Sequence, residues 1–328
     1  MKAVNVAVVG VTGMVGRMFL KVLEERDFPV DKFYAFASSR SAGGEIEFKG
    51  KKRVVIELTE SSFDGQGIDI ALFSAGGAVS GRFAPFAAKS GCVVIDNSSH
   101  WRMNDDVPLV VPEVNPEDAF LNKGIIANPN CSTIQAVVAL KPLHDAYKIK
   151  RVVYSTYQAV SGAGMGGLTD LTEGLKGAPP KKFPRPIAGN CLPHIDVFTE
   201  SGYTKEEIKM IEETRKILHE PALRVTATAV RTPVITGHSE SINVEFEKPF
   251  ELEKVIETLK SAPGVVVKSK SDEYPTPLEI AGSDEVYVGR IRRDESVENG
   301  VNLWVVADNL RKGAATNAVQ IAQSLLAR

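Results

Sequence analysis

Apolar residues recur along this chain in two different rhythms. In the first 130 residues, short unbroken apolar runs alternate with helical spacing. Residues 3–9 predict a buried strand, followed by a glycine-rich turn and a helix to about residue 26. KFYAFA (32–37) predicts a second strand, and IDIALFS (68–74) a third that leads into a helix ending near residue 90. CVVIDNS (92–98), LVVPEV (109–114) and GIIAN (124–128) predict further strands. Strands that alternate with helices imply a doubly wound parallel sheet.

After residue 131 the rhythm changes. A helix is expected over about 132–147, with Pro142 kinking it or restricting its last turn, and then a long strand over 148–161. Residues 177–195, rich in Pro, Gly and Lys, read as an irregular excursion. A charged amphipathic helix follows at 204–218. RVTATAVRTPVI (224–235) and ESINVEFE (240–247) alternate with period two, as in a half-solvated antiparallel sheet. Residues 251–261 predict a helix, 301–309 a strand and 313–327 a closing helix. The second half therefore reads as an α+β domain.

The 328 residues suffice for two domains and a sizeable core. A net charge of −2, with both signs interspersed and no basic block, argues against nucleic-acid or membrane-surface partners. The apolar run near the N-terminus breaks at Gly10 with no small-residue cleavage site, so it reads as a strand and not a leader. Three cysteines, Cys92, Cys131 and Cys191, match no zinc spacing and form a poor disulfide framework, which suits a reducing cytoplasmic compartment.

Gly10, Gly13 and Gly16 lie between the first strand and its helix, where they permit a tight turn close to a pyrophosphate. The spacing is G-x-x-G-x-x-G, and a plain βα turn would also accommodate it. The second strand ends in FASSRSAGG with no acidic residue for ribose hydroxyls. Ser38, Ser39, Arg40 and Ser41 instead suit a 2′-phosphate, which favours NADP over NAD.

IIANPNCSTIQAV (125–137) carries the candidate chemistry. Ser132 and Gln135 form an S-x-x-Q capping pattern, so the helix should begin near Ser132, unless Asn130 caps it. Either way Cys131 stands at the positive end of a helix, where a thiolate is favoured. Backbone N–H groups and the Asn130 amide could hold an oxyanion there. A buried inert thiol is the competing reading. Among the five histidines, His144 and His219 fall in helical segments. His100, His194 and His238 lie in predicted loops or turns, and chemistry alone does not choose between His238 and His100 as the base.

The blocks GVTGMVG, SSRSAGG, SSHWRM, VPEVN, NPNCSTIQ, TYQAVSGAG, IAGNCLPHID, EEIKMIEETRKI, RTPVITGHSE and DNLRKGAATNAVQIA occur in this order over nearly the whole chain. Together they resemble the aspartate-β-semialdehyde dehydrogenase family. The resemblance implies an α/β fold, with a Rossmann-like NADP-binding domain at 1–130 plus 312–328. It also implies an α+β catalytic and dimerisation domain at 131–311, with a mainly antiparallel sheet. It implies interconversion of aspartate 4-semialdehyde, phosphate and NADP⁺ with 4-aspartyl phosphate and NADPH, by a homodimer or homotetramer that holds no metal. Cys131 matches the nucleophile, His238 the acid/base that takes its proton, and Gln158 a residue orienting the acyl group. Arg231 and Glu206 match substrate-binding positions, and Arg102 and Lys209 phosphate-binding ones. Thr12, Gly13, Met14, Val15, Arg40, Ser41, Ser161, Gly162 and Asn309 match cofactor positions.

Gly189 and Cys191 depart from the bulkier residues expected in their block, which touches subunit contacts more than chemistry. N-acetylglutamyl-phosphate reductase, with a longer acylated substrate, a non-catalytic NADP-binding regulatory module, and a phosphorylating sugar-phosphate aldehyde dehydrogenase, whose sequence blocks differ, are the rival readings. Arg231 with Glu206 favours a free amino acid over the first. The Cys131 and His238 pair weighs against the second.

Overall fold

The computed structural model describes residues 3–327, which fall into two compact units. The first runs to Asn130 and resumes at Ala314; the second is Cys131–Gly313.

In the first unit β1 (Val4–Val9) leads into α1 (Met14–Glu25), followed by β2 (Val30–Ala37), β3 (Glu45–Phe48) and β4 (Lys51–Glu57). Then come β5 (Ile70–Phe73), α2 (Gly77–Lys89), β6 (Val93–Asp96) and β7 (Ile125–Ala127). The sheet order is β3-β4-β2-β1-β5-β6-β7, parallel except for the β3–β4 hairpin. The chain winds outward from β1 in both directions, so the strand order reverses between β1 and β5, where ligands of such sheets gather. The apolar runs Val6–Val9 of β1 and Ile70–Phe73 of β5 are buried on both faces, as a parallel sheet demands. The expected strand at 109–114 does not form. Only Leu109 bridges Ala127, and Val114 and Asn115 turn back onto the Val111 carbonyl.

The second unit opens with α3 (Cys131–Tyr147), which passes through Pro142 without ending. After it come β8 (Ile149–Gln158), α4 (Gly164–Gly174), α5 (Lys205–Ile217), β9 (Arg224–Arg231) and β10 (His238–Phe246). The remainder is α6 (Leu252–Lys260), β11 (Val265–Val267), α7 (Pro277–Ile280), β12 (Val286–Asp294) and β13 (Gly300–Ala307). A wide turn over Arg311–Ala315 then leads into α8 (Thr316–Leu326) of the first unit.

This second sheet is mixed, in the order β11-β12-β13-β10-β8-β9. Its central ladders are antiparallel, whereas β8–β9 and β11–β12 are parallel. The consecutive strands β9 and β10 are therefore not neighbours, although their alternation suggests an antiparallel pair. The connection through α4 and α5 is long enough for β9 to return parallel to β8. A Thr204–Glu207 capping box starts α5, and Glu207 also accepts the Ala229 N–H at 2.9 Å, which fixes that helix to β9.

This topology sets the site. The parallel register pairs Gln158 with Arg231 at the ends of β8 and β9. The antiparallel register brings the start of β10 to the same edge, with Ser239 opposite Tyr157.

Candidate active site

Cys131 is the first residue of α3, one position earlier than the S-x-x-Q pattern suggests. The capping box does not form. The Gln135 amide instead donates to the carbonyls of His238 (3.3 Å) and Val305 (3.4 Å), and its oxygen has no partner. The first turn of α3 is thereby tied to the first residue of β10. Cys131 is half-buried, while Asn130 before it and Ser132 after it are buried.

His238 is not in the exposed turn where its sequence context places it. It begins β10 and is fully buried. The Ala159 N–H donates to its Nδ1 at 3.0 Å, and its Nε2 has no partner. Burial, reinforced by the Arg231 charge and opposed by Glu206, lowers its pKa to about 3. The ring is therefore neutral near pH 7 and carries its proton on Nε2.

Arg231 is buried at the end of β9. Its Nη1 donates to the Ala159 carbonyl at 2.6 Å, its Nε has no partner, and its guanidinium lies 5.9 Å from the Phe183 ring centroid. Burial lowers its pKa, and Glu206 and the Cys131 sulfur push it back up, so both lie within its electrostatic reach. Gly162 packs against the same groups, since a Cβ there would stand 2.9 Å from Arg231 Nη1 and 3.4 Å from His238 Nε2.

The Gln158 amide donates to the Ser132 hydroxyl and, at 3.2 Å, to Glu206 Oε1. Glu206, in the first turn of α5, also accepts from Lys209 Nζ at 3.2 Å, and Lys209 reaches Asp196 at 2.8 Å. The structure thus brings Cys131, Gln158, Glu206, Lys209, Arg231 and His238 into one connected cluster. Ser161 and Asn309 belong to the second unit too. Their side chains bond each other, and Asn309 Oδ1 accepts the Gly237 N–H at 2.8 Å, which anchors the turn entering His238.

Two residues of this cluster were not singled out from the sequence. Gly313 abuts the nucleophile candidate, and a Cβ on it would lie 2.9 Å from Cys131 Cβ. Glu240 is fully buried two residues beyond His238. The signal for Glu240 lay in the alternation itself, because it shares the phase of Ile242, Val244 and Phe246. The remaining histidines and cysteines have other settings. His100 packs edge-on against Trp101 and His194 against Phe198. Cys92 is buried, and burial pushes its thiol pKa up; Cys191 is exposed.

In the first unit, Gly10 turns with φ +81°, and its N–H donates to the Phe36 carbonyl at 2.9 Å. A Cβ at Gly10 would stand 2.3 Å from the Ser74 carbonyl, and one at Gly16 would stand 2.1 Å from the Gly10 carbonyl. The turn therefore closes tightly only with glycine, and α1 begins at Met14 with its N-terminus at the C-terminal edge of the sheet. Thr12, Gly13 and Val15 line this turn. Ser38 and Arg40 are exposed on the adjacent β2 loop, where the Ser41 N–H donates to the Ser38 carbonyl at 2.9 Å. This cradle suits a dinucleotide with a phosphorylated ribose. Arg102 is buried, and its guanidinium donates to the carbonyls of Asn128 (3.0 Å) and Asn97 (3.2 Å). Among the described residues no cluster of acidic, His or Cys side chains could hold a metal, and no helix is long and apolar enough to cross a membrane.

A glycine-turned parallel sheet, present in one chain with a thiol, imidazole and guanidinium cluster, fits the class of nicotinamide-dependent dehydrogenases. Residues 5–121 match the family model described as semialdehyde dehydrogenase, NAD binding domain, and residues 140–312 match that of semialdehyde dehydrogenase, dimerisation domain. The chain is 61% identical to aspartate-semialdehyde dehydrogenase of Aquifex aeolicus, over 98% of each chain. It is similar to the crystal structure of aspartate semialdehyde dehydrogenase II from Vibrio cholerae complexed with ASA, with a TM-score of 0.95 and 49% identity, covering 100% of this chain and 99% of that one. It is also similar to the enzyme from Candida albicans with NADP, with a TM-score of 0.80 and 27% identity over 99% of each chain. The chain belongs to the aspartate-semialdehyde dehydrogenase family.

Proposed function

We propose that this chain interconverts L-aspartate 4-semialdehyde, phosphate and NADP⁺ with L-4-aspartyl phosphate and NADPH, through a thioester on Cys131. The observation that carries the reading is the joint placement of Cys131 at the start of α3 and a neutral, Nε2-protonated His238 at the start of β10, tied together by Gln135.

In the oxidative direction the Cys131 thiolate attacks the aldehyde carbon. The new oxyanion accepts a hydrogen bond from His238 Nε2–H, with backbone N–H groups of the first α3 turn and the Asn130 amide as further donors. This reading has His238 as a donor where the sequence suggests a base for the thiol proton, and the Ala159 N–H on its Nδ1 supports it. When bound, NADP⁺ supplies the hydride acceptor in this direction and NADPH the hydride donor in the other. As the carbonyl reforms with loss of hydride, the hydrogen bond from His238 Nε2–H relaxes and the acyl group remains on Cys131 as a thioester. Phosphate, held by Lys209, attacks that carbon, and Cys131 leaves as thiolate. Arg231, through its unpartnered Nε, holds the substrate carboxylate, and Glu206 faces the amino group. Gln158 orients the acyl oxygen.

Gly10, Thr12, Gly13, Met14 and Val15 would hold the pyrophosphate, and Ser38, Arg40 and Ser41 the 2′-phosphate. The protein works as a homodimer or homotetramer in the cytoplasm, where its cysteines stay reduced. Purified protein should form NADPH from aspartate semialdehyde and NADP⁺ beyond one equivalent per site only when phosphate is present. NADPH formation that is indifferent to phosphate, or turnover of N-acetylglutamyl phosphate in preference to aspartyl phosphate, would overturn the reading.

A further inference from the structure

Asp170, on α4, is a buried carboxyl that accepts three successive backbone N–H groups. Lys181 donates to its Oδ1 at 2.9 Å, and Lys182 and Phe183 donate to its Oδ2 at 2.8 Å each. Burial opposes ionisation there, but the three bonds outweigh it and bring the carboxyl below its usual range. The bonds pin the middle of the excursion between α4 and α5. Gly167, also on α4, makes room for the ring that follows, since a Cβ on it would stand 3.1 Å from Phe183 Cζ. Phe183 packs against the cluster of Val160, Leu171, Ile187 and Leu192, and its ring centroid lies 5.9 Å from the Arg231 guanidinium. The same excursion also closes on the Arg231 backbone. Leu192 donates its N–H to the Arg231 carbonyl at 2.9 Å and accepts the Arg231 N–H at 2.8 Å. One segment thus grips the last residue of β9 by its main chain and by its side chain.

We infer that Asp170 is a positioning residue: by holding residues 181–183 it seats the Phe183 ring against the Arg231 guanidinium, so that the fork stands ready before a substrate carboxylate arrives. The bond from Nη1 to the Ala159 carbonyl holds one end of the guanidinium. The ring acts on the rest of it, because an aromatic face attracts a cation within about 6 Å. A side chain held in its binding conformation loses less entropy when ligand binds, and that gain appears as affinity. The inference deepens the reading of Arg231 as the clamp for the substrate carboxylate and rests on it.

The test is a double-mutant cycle against Arg231, measured in the phosphate-dependent oxidation of aspartate semialdehyde. Phe183→Leu keeps the apolar cover of the cluster and removes the aromatic face. It should raise KM for the semialdehyde about 3- to 10-fold, the affinity lost when one long side chain must be ordered on binding. Both kcat and KM for phosphate should stay within about twofold of the parent enzyme. Asp170→Ala should do the same, and Asp170→Asn, which keeps one acceptor oxygen, should fall between Asp170→Ala and the parent. In an Arg231→Leu background neither change should raise KM by more than about twofold further. Losses that multiply in that background would overturn the proposal, because a residue that only supports the fold acts independently of Arg231. A parental KM in Phe183→Leu would overturn it as well. If Asp170→Ala does not fold, Phe183→Leu decides by itself. Arg231→Leu alone separates the two levels. If it leaves KM unchanged, the clamp reading fails and the proposal with it; if it raises KM while Phe183→Leu does not, only the proposal fails.

Discussion

The backbone N–H of Ala159 donates to Nδ1 of His238 at 3.0 Å, and this single bond sets which way the imidazole can act. With Nδ1 accepting, the neutral ring presents a proton at Nε2 and works first as a donor toward the site. The burial that keeps the ring neutral also removes any titration of His238 near its ordinary pKa.

His238→Ala should therefore lower kcat by about 10²- to 10⁴-fold. In the parent enzyme the pH profile of kcat/KM should show no acid limb near 6.5 from His238, whose pKa is about 3. A limb at 6–7 that disappears in His238→Ala would contradict the assignment. Stability follows the same sign. The unfolded chain binds a proton at His238 below 6.5 and the folded chain does not, so this residue's contribution is lost as pH falls from 6.5 toward 3.

Arg231 keeps its Nε unpartnered while Nη1 is held by the Ala159 carbonyl at 2.6 Å, so the fork is fixed before substrate arrives. Arg231→Leu should raise KM for aspartate semialdehyde by about 10- to 100-fold, the worth of a charge-assisted hydrogen bond. Arg231→Lys should recover little, because an ammonium cannot reproduce the planar fork. Steady-state kinetics with varied semialdehyde separates these outcomes from a loss of kcat.

Gly313 leaves no room for a side chain against Cys131, at 2.9 Å from its Cβ. Gly313→Ala should displace the nucleophile, lowering kcat about tenfold or more and destabilising the fold by about 1–3 kcal/mol. Thermal melting together with kcat measures both, and a fully active, equally stable variant would refute the packing argument.

Glu240 gives a stability prediction independent of catalysis. The folded chain retains its proton above 4.5, where the unfolded chain releases it, so the parent protein loses stability as pH rises. Glu240→Gln removes that loss. Its stability advantage over the parent should grow from pH 5 toward pH 8 by up to about 1.4 kcal/mol per unit. Denaturant unfolding at several pH values reads this, and a gap that does not change with pH would mean that the carboxyl is ionised in the fold.

The parts legible in the sequence were those fixed by local signals. β1, its glycine turn and α1 were readable because an apolar run, a forced turn and helical spacing follow one another within 25 residues. Cys131 was readable from the turn before it and the helix after it. The hairpin β3–β4 was missed because its residues are largely charged and exposed, and α4 because GMGGLTDLTEG is poor in helix formers. The pairing of β8 with β9 depends on a connection spanning α4 and α5, which no local window contains. His238 looked like a turn residue because only the pairing of β10 with β13, which sets His238 opposite Ala307, shows that β10 starts with it, inside the sheet. Arg231, Glu206 and Gln158 carried no individual signal, since each alone reads as an ordinary strand-end or helix-face residue. The structure makes them a group by bringing two strand ends and one helix start to a single edge.

The sharpest test is mass spectrometry of the acyl-enzyme. Protein incubated with aspartate semialdehyde and NADP⁺ without phosphate should gain one aspartyl group, mapped to the peptide bearing Cys131, and phosphate should discharge it. No adduct, or an adduct on Cys92 or Cys191 while turnover proceeds, would contradict the account.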